Sequence, residues 1–93
     1  MRTAEGKEKA KVKAYLKSIG AYQIWPVPCG YGVQGVDCYA CIDGAFYAIE
    51  MKAEGKHATA RQLLTLKNVR DAGGEALCGV ADGIIACIKF KND

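Results

Sequence analysis

Asp37, Glu50 and Lys52 are the residues of this chain whose types and spacing could do chemistry together, and a two-residue turn brings them into range. Val36 to Ile42 reads as a strand, and so does Ala45 to Lys52, with Asp43-Gly44 between them. An Asp-Gly pair in that position predicts a type I′ hairpin, whose two central residues both need positive φ. With a two-residue loop Ile42 faces Ala45, and Asp37 falls directly opposite Glu50. Alternate residues share a face, so Lys52 projects beside Glu50. Opposed carboxylates repel and weaken a sheet unless a cation lies between them. A divalent metal answers that need, with Lys52 as a fixed positive charge next to it. On this reading Asp37→Ala relieves repulsion and stabilises the metal-free protein. The plain alternative makes Glu50 and Lys52 the solvent face of an ordinary hairpin. The run Ala48-Ile49-Glu50-Met51 is too apolar for that.

The elements that must position these residues follow from periodicity. Thr3 to Ile19 predicts a helix closed by Gly20, with Val12, Tyr15, Leu16 and Ile19 at helical spacing. Lys7, Lys9, Lys11, Lys13 and Lys17 read as its solvated face. Ala21 to Val27 suits a strand, which Pro26 and Pro28 confine to an edge. Cys29 to Gly35 is a glycine-bearing loop, but no lysine or helix follows where a nucleotide-binding loop requires them. Ala53 to Ala58 is a polar loop carrying an exposed His57. Thr59 to Ala72 is a second helix, opened by a Thr59-x-x-Gln62 capping box, striped by Leu63, Leu66 and Val69, and stopped by Gly73-Gly74. Its length suits a crossover that brings the next strand, Ala76 to Val80, in parallel. Asp82 to Phe90 fits either a helix or a strand.

Composition sets the bounds. The 93 residues predict one domain, 1–93, of ordinary globular make-up, 51% hydrophobic and 25% charged. A net charge of +3 permits a polyanionic partner without demanding one. The five cysteines, with no signal segment or membrane-length apolar run, predict reduced thiols in the cytoplasm. Cys38 and Cys41, three apart on a strand, point to opposite faces and cannot chelate one ion. Cys29, Cys78 and Cys87 read as small hydrophobes. No motif for a nucleotide cofactor is present.

The order of these elements, with Asp37, Glu50-Met51-Lys52 and Gln62 in it, resembles the PD-(D/E)XK nuclease superfamily, and more narrowly its VRR-NUC branch with small stand-alone phage-type members. The matching stretch runs from Gly35-Val36-Asp37 through the hairpin to Ala48-Ile49-Glu50-Met51-Lys52, then to Thr59-x-x-Gln62 and Gly73-Gly74. Val36 departs from the proline often found before the aspartate. The resemblance implies an α/β fold with a restriction-endonuclease-like core, in α-β-β-β-α-β order, its small mixed sheet flanked by helices. It implies a Mg²⁺- or Mn²⁺-dependent endonuclease that hydrolyses DNA, with structured forms such as Holliday junctions or flaps as substrates, in a bacterial or phage-infected cytosol. Such chemistry needs a nucleophilic water, in-line attack and stabilised phosphate charge, which a metal held by one or two carboxylates provides. Asp37 and Glu50 are the expected ligands, joined by the Met51 carbonyl. Lys52 orients or deprotonates the water, or stabilises the developing charge.

The resemblance also implies an accessory acid on the first helix and a glutamine in the site. Glu5 and Glu8 both lie on the Val12 face; Glu8, one turn from Val12, is the expected site residue, and Glu5 is assigned to the helix N-terminus. Gln62 has two expected roles, cap and site, that its side chain fills one at a time. Lys56, Arg61 and Lys11 are expected phosphate contacts, and Tyr31 a stacking group for an unpaired base. Trp25, Pro26 and the apolar tail Ile84 to Phe90 predict a homodimer, as the resemblance does. The alternative is a non-catalytic nucleic-acid-binding or assembly module on the same fold, but the trio of Asp37, Glu50 and Lys52 argues against it.

Overall fold

Asp43 and Gly44 take φ of 49° and 83°, the conformation a type I′ turn requires. Around that turn a computed structural model, which describes residues 3–27 and 35–92, builds a four-stranded sheet. Helix α1 (Ala4–Ser18) leads to β1 (Tyr22–Ile24), the hairpin β2 (Cys38–Ile42) and β3 (Ala45–Met51), α2 (Ala60–Asp71), β4 (Glu75–Gly79) and α3 (Ala81–Asn92). The sheet order is β1-β2-β3-β4, antiparallel except for the β3–β4 pair, which α2 joins in parallel. Cys29 and Tyr31 lie outside the described residues.

The caps behave as their residue types dictate. Thr3 and Thr59 each accept a backbone N–H from the first turn of the following helix. Both α1 and α2 end in a Schellman pattern with glycine at the left-handed position. Gly20 stands at φ 74° with Ala21 N–H on the Leu16 carbonyl, and Gly73 at 99° with Gly74 N–H on that of Val69. At Gly74 a Cβ would fall 2.8 Å from Val69 Cγ1 and 3.2 Å from the Phe46 carbonyl oxygen, so helix and sheet meet there only through a glycine.

Three layers result. On one face of the sheet Val12 and Leu16 of α1 and Ala81, Ile84 and Ile88 of α3 pack on Cys38, Ala40, Ile42, Tyr47, Ile49 and Met51. On the other, Leu66 of α2 packs on Val36, Ala48 and Ala76. Val36, where the related pattern favours proline, is thus a buried core residue. The tail resolves as a helix because Ala81, Ile84 and Ile88, at spacings of three and four, form one apolar face. That corrects two expectations. Ile84 and Ile88 close the core of a single chain instead of supplying an interface. Leu63, placed on the buried stripe of α2, is 55% exposed, because α2 covers only the narrow strip around Leu66. The first strand is shorter than the Ala21–Val27 run, but it lies at the sheet edge as the prolines require. Cys38 is buried, which pushes its thiol pKa up to about 12, while Cys41, one strand face away, is exposed with Cys78 and Cys87. Among the described residues no helix is long and apolar enough to cross a membrane.

Candidate metal centre

The ladder runs from Ile42↔Ala45 to Cys38↔Ile49, so the next pair in register is Asp37 and Glu50. Regular pairing stops there, and the two side chains continue it. The Asp37 N–H donates to Glu50 Oε1 at 3.0 Å, and the Met51 N–H donates to Asp37 Oδ2 at 3.1 Å. Each carboxylate therefore satisfies a backbone donor on the opposite strand. Glu50 is 1% exposed, and its Oε2 meets the Lys52 Nζ at 3.3 Å and the Gln62 Nε2 at 3.0 Å. Burial, and then the neighbouring Asp37 charge, raise the Glu50 pKa above 4.5; Lys52 and the Asp37 N–H oppose the rise. Lys52 follows the last residue of β3 and is fixed by its own N–H, which donates to the Gly79 carbonyl of the Gly79–Val80 connection at 2.8 Å.

The Gln62 side chain makes its capping contact and a contact to Glu50 at the same time, so one does not preclude the other, contrary to expectation. Its Oε1 accepts the Thr59 N–H at 2.9 Å while its Nε2 donates to Glu50. A carboxamide carries an acceptor and two donors, and a capping box engages only the acceptor. The cap thus becomes the device that aims the amide at the buried carboxylate.

The helix acids exchange places. A carboxylate oxygen from each of Glu5, Asp37 and Glu50 lies within 4.8 Å of the others. Glu8, the residue chosen from sequence, points elsewhere: its Oε1 accepts the Ala81 N–H at 2.8 Å, at the start of α3. Eleven residues are close to three full turns, so Glu5 keeps within about 20° of the Leu16 direction, whereas Glu8 rotates off that line toward α3. Proximity to Val12 along the chain was the wrong measure; angle around the axis decides.

Lys9, counted with the solvated face, also reaches the site. Its Nζ is 3.4 Å from Asp37 Oδ1. The signal lay in the sequence, because Lys9 is four residues from Glu5 and shares its side of the helix. Lys13 stays exposed, with its ammonium 5.3 Å from the Trp25 ring centre. Lys11, an expected phosphate contact, is exposed about 120° around α1 from Glu5 and turns away from the cluster. Lys56 and Arg61 are both exposed, on the loop after Lys52 and on the first turn of α2 beside Gln62.

No protein-family model matches the sequence, and no curated protein does. A solved structure described as a VRR_NUC domain superposes with a TM-score of 0.77 over 94% of this chain and 95% of its own, at 16% identity. The chain has the VRR-NUC domain fold. In this VRR-NUC fold the acidic trio, Lys52 and Gln62 gather where β3 ends, between the first turns of α1 and α2. Three carboxylates converging from different elements offer the hard oxygen donors that Mg²⁺ and Mn²⁺ prefer. Asp37, whose side chain is 17% exposed, leaves the group open to solvent on one side.

Proposed function

We propose that this chain is a Mg²⁺- or Mn²⁺-dependent endonuclease that hydrolyses DNA phosphodiesters, with branched DNA as the preferred substrate class. The observation that carries the reading is the convergence of Glu5, Asp37 and Glu50 within 4.8 Å, with Lys52 and Gln62 on Glu50, in a VRR-NUC fold. Glu5, Asp37, Glu50 and the Met51 carbonyl would hold the ion. The Met51 carbonyl leaves β3 on the same edge as the N–H that binds Asp37, so it faces the carboxylates. When bound, a divalent ion supplies a water of lowered pKa and polarises the phosphoryl oxygens.

The remaining work belongs to the chain. Gln62 and Lys52 hold the Glu50 carboxylate in one orientation, with no buried side-chain polar atom left unpaired among the described residues. The Lys52 ammonium stands where it can orient the attacking water or meet charge growing on the phosphate oxygens. In the overall step the water oxygen bonds to phosphorus, the bond to the leaving sugar oxygen breaks, and the water's proton is passed on as that oxygen departs. Lys56 and Arg61 supply exposed positive charge along the rim for phosphates on either side.

A homodimer remains part of the proposal, with its surface moved. Ile84 and Ile88 of the tail are buried, but Tyr22 and Ile24 of β1, and Val27 just beyond it, stay exposed. Cleavage of linear, flap and four-way-junction DNA in EDTA, Mg²⁺ and Mn²⁺ tests the reading. We expect metal-dependent cutting of branched forms that Asp37→Asn abolishes. Equal cutting by wild type and that variant would refute it.

A further inference from the structure

We propose that Lys9 is a displaceable internal counter-cation of the metal centre, which yields Asp37 to the divalent ion and then binds a DNA phosphate beside it. This rests on the metal-centre reading above. The four oxygens of the strand pair are not equivalent. Glu50 Oε1 accepts the Asp37 N–H, Glu50 Oε2 meets Gln62 and Lys52, and Asp37 Oδ2 accepts the Met51 N–H. Asp37 Oδ1 has no hydrogen-bond donor among the described residues, and Lys9 Nζ stands over it at 3.4 Å. The oxygen most open to an incoming ion is thus the one a lysine guards.

The two lysines of the centre differ in what they can do. Lys52 is 12% exposed, extends from the end of a central strand and sits on the buried carboxylate. Lys9 is 42% exposed and reaches in from a helix on a flexible four-carbon stem. The two ion pairs are of similar length, 3.4 Å and 3.3 Å, so it is the greater exposure of Lys9 that makes its pair the more readily exchanged. Lys9 is also spaced four residues after Glu5, an arrangement that favours an intrahelical ion pair, yet it pairs with Asp37. Two cations drawn to one oxygen repel each other. An ion on Asp37 repels the ammonium outward, to the solvent side of the centre from which a polyanion must approach. Lys9 then acts as a positioning residue, coupling metal loading to phosphate capture.

Titrating Mn²⁺ calorimetrically into wild type, Lys9→Met and Lys9→Arg without DNA tests the first half. Lys9→Met should bind Mn²⁺ about tenfold more tightly once the competing charge is gone, with a smaller difference at high salt, and Lys9→Arg should match wild type. Binding of a branched DNA in Ca²⁺ tests the second half. Lys9→Met should bind about three- to tenfold more weakly, and Lys9→Arg should restore affinity. Unchanged or weaker Mn²⁺ binding by a folded Lys9→Met would overturn the counter-cation role, and unchanged DNA binding the phosphate role. Wild type that binds no Mn²⁺, or binds it equally after Asp37→Asn, overturns the metal centre itself and Lys9's role with it.

Discussion

Asp37 carries two duties that different substitutions separate. Its Oδ2 accepts the Met51 N–H, so Asp37→Ala strands a backbone donor at the end of a buried strand. That loss costs about 1–3 kcal/mol, and it reverses the expectation that relieving carboxylate repulsion would stabilise the metal-free protein. Asp37→Asn keeps an oxygen for Met51 and removes the charge. We expect the alanine variant to melt well below wild type in EDTA, the asparagine variant near it, and both to lose the thermal shift that Mn²⁺ gives wild type. Glu50 adds a pH dependence. Its folded pKa is raised by burial and by Asp37, so between the unfolded value near 4.5 and the folded value the native state holds the extra proton. The penalty for an ionised Glu50 is in force above the folded value and relieved as pH falls through it. Metal-free protein should therefore gain stability on mild acidification, while Mn²⁺ stabilisation fades at a higher pH than an ordinary glutamate would cause. Denaturant melts of wild type and Glu50→Gln across the acidic range check this: the slope should vanish in the variant.

At the scale of elements, α1 serves two masters through residues three apart. Glu5 faces the strand carboxylates and Glu8 receives the first N–H of α3, where a negative charge also suits the helix dipole. The two substitutions should dissociate cleanly. Glu8→Ala should lower stability by about 1–2 kcal/mol and leave Mn²⁺ affinity intact. Glu5→Ala should weaken Mn²⁺ binding with little change in melting temperature. The opposite pattern would return the site role to Glu8. In α2 the capping box links helix nucleation to the site, since the same side chain closes the Thr59 cap and aims at Glu50. Gln62→Glu keeps the box but sets a carboxylate against Glu50. Metal-free stability should fall, and Mn²⁺ should recover part of it.

Across the whole molecule, the surfaces left uncovered set the remaining expectations. The β1 edge presents Tyr22 and Ile24, with Val27 exposed just beyond the strand, beside unpaired backbone groups of an edge strand. If two copies associate there, Ile24→Lys should shift sedimentation toward monomer without altering the fold. A monomeric wild type that still cuts would leave a nicking enzyme acting on one strand. DNA affinity should fall linearly with log salt, and Lys56→Ala and Arg61→Ala should each flatten that slope by about one contact. Phe90, near the end of α3, is 85% exposed as well.

The sequence by itself determined the parts that depend on local geometry. Asp43-Gly44 specifies its turn because few residues tolerate two positive φ values, and the turn then dictates that Asp37 meets Glu50. Gly20, Gly73 and the two threonine caps fixed where α1 and α2 end. The tertiary structure alone decided what depends on angles between elements. Glu5 and Glu8 both belong to the apolar side of α1, and only the docking of α1 on the sheet beside α3 sends one to Asp37 and the other to Ala81. The tail's isoleucines suit either periodicity until α3 has a sheet face to cover. Spacing along the chain puts Lys9 on the Glu5 side of α1, but only the docking of that helix sets it over one carboxylate oxygen.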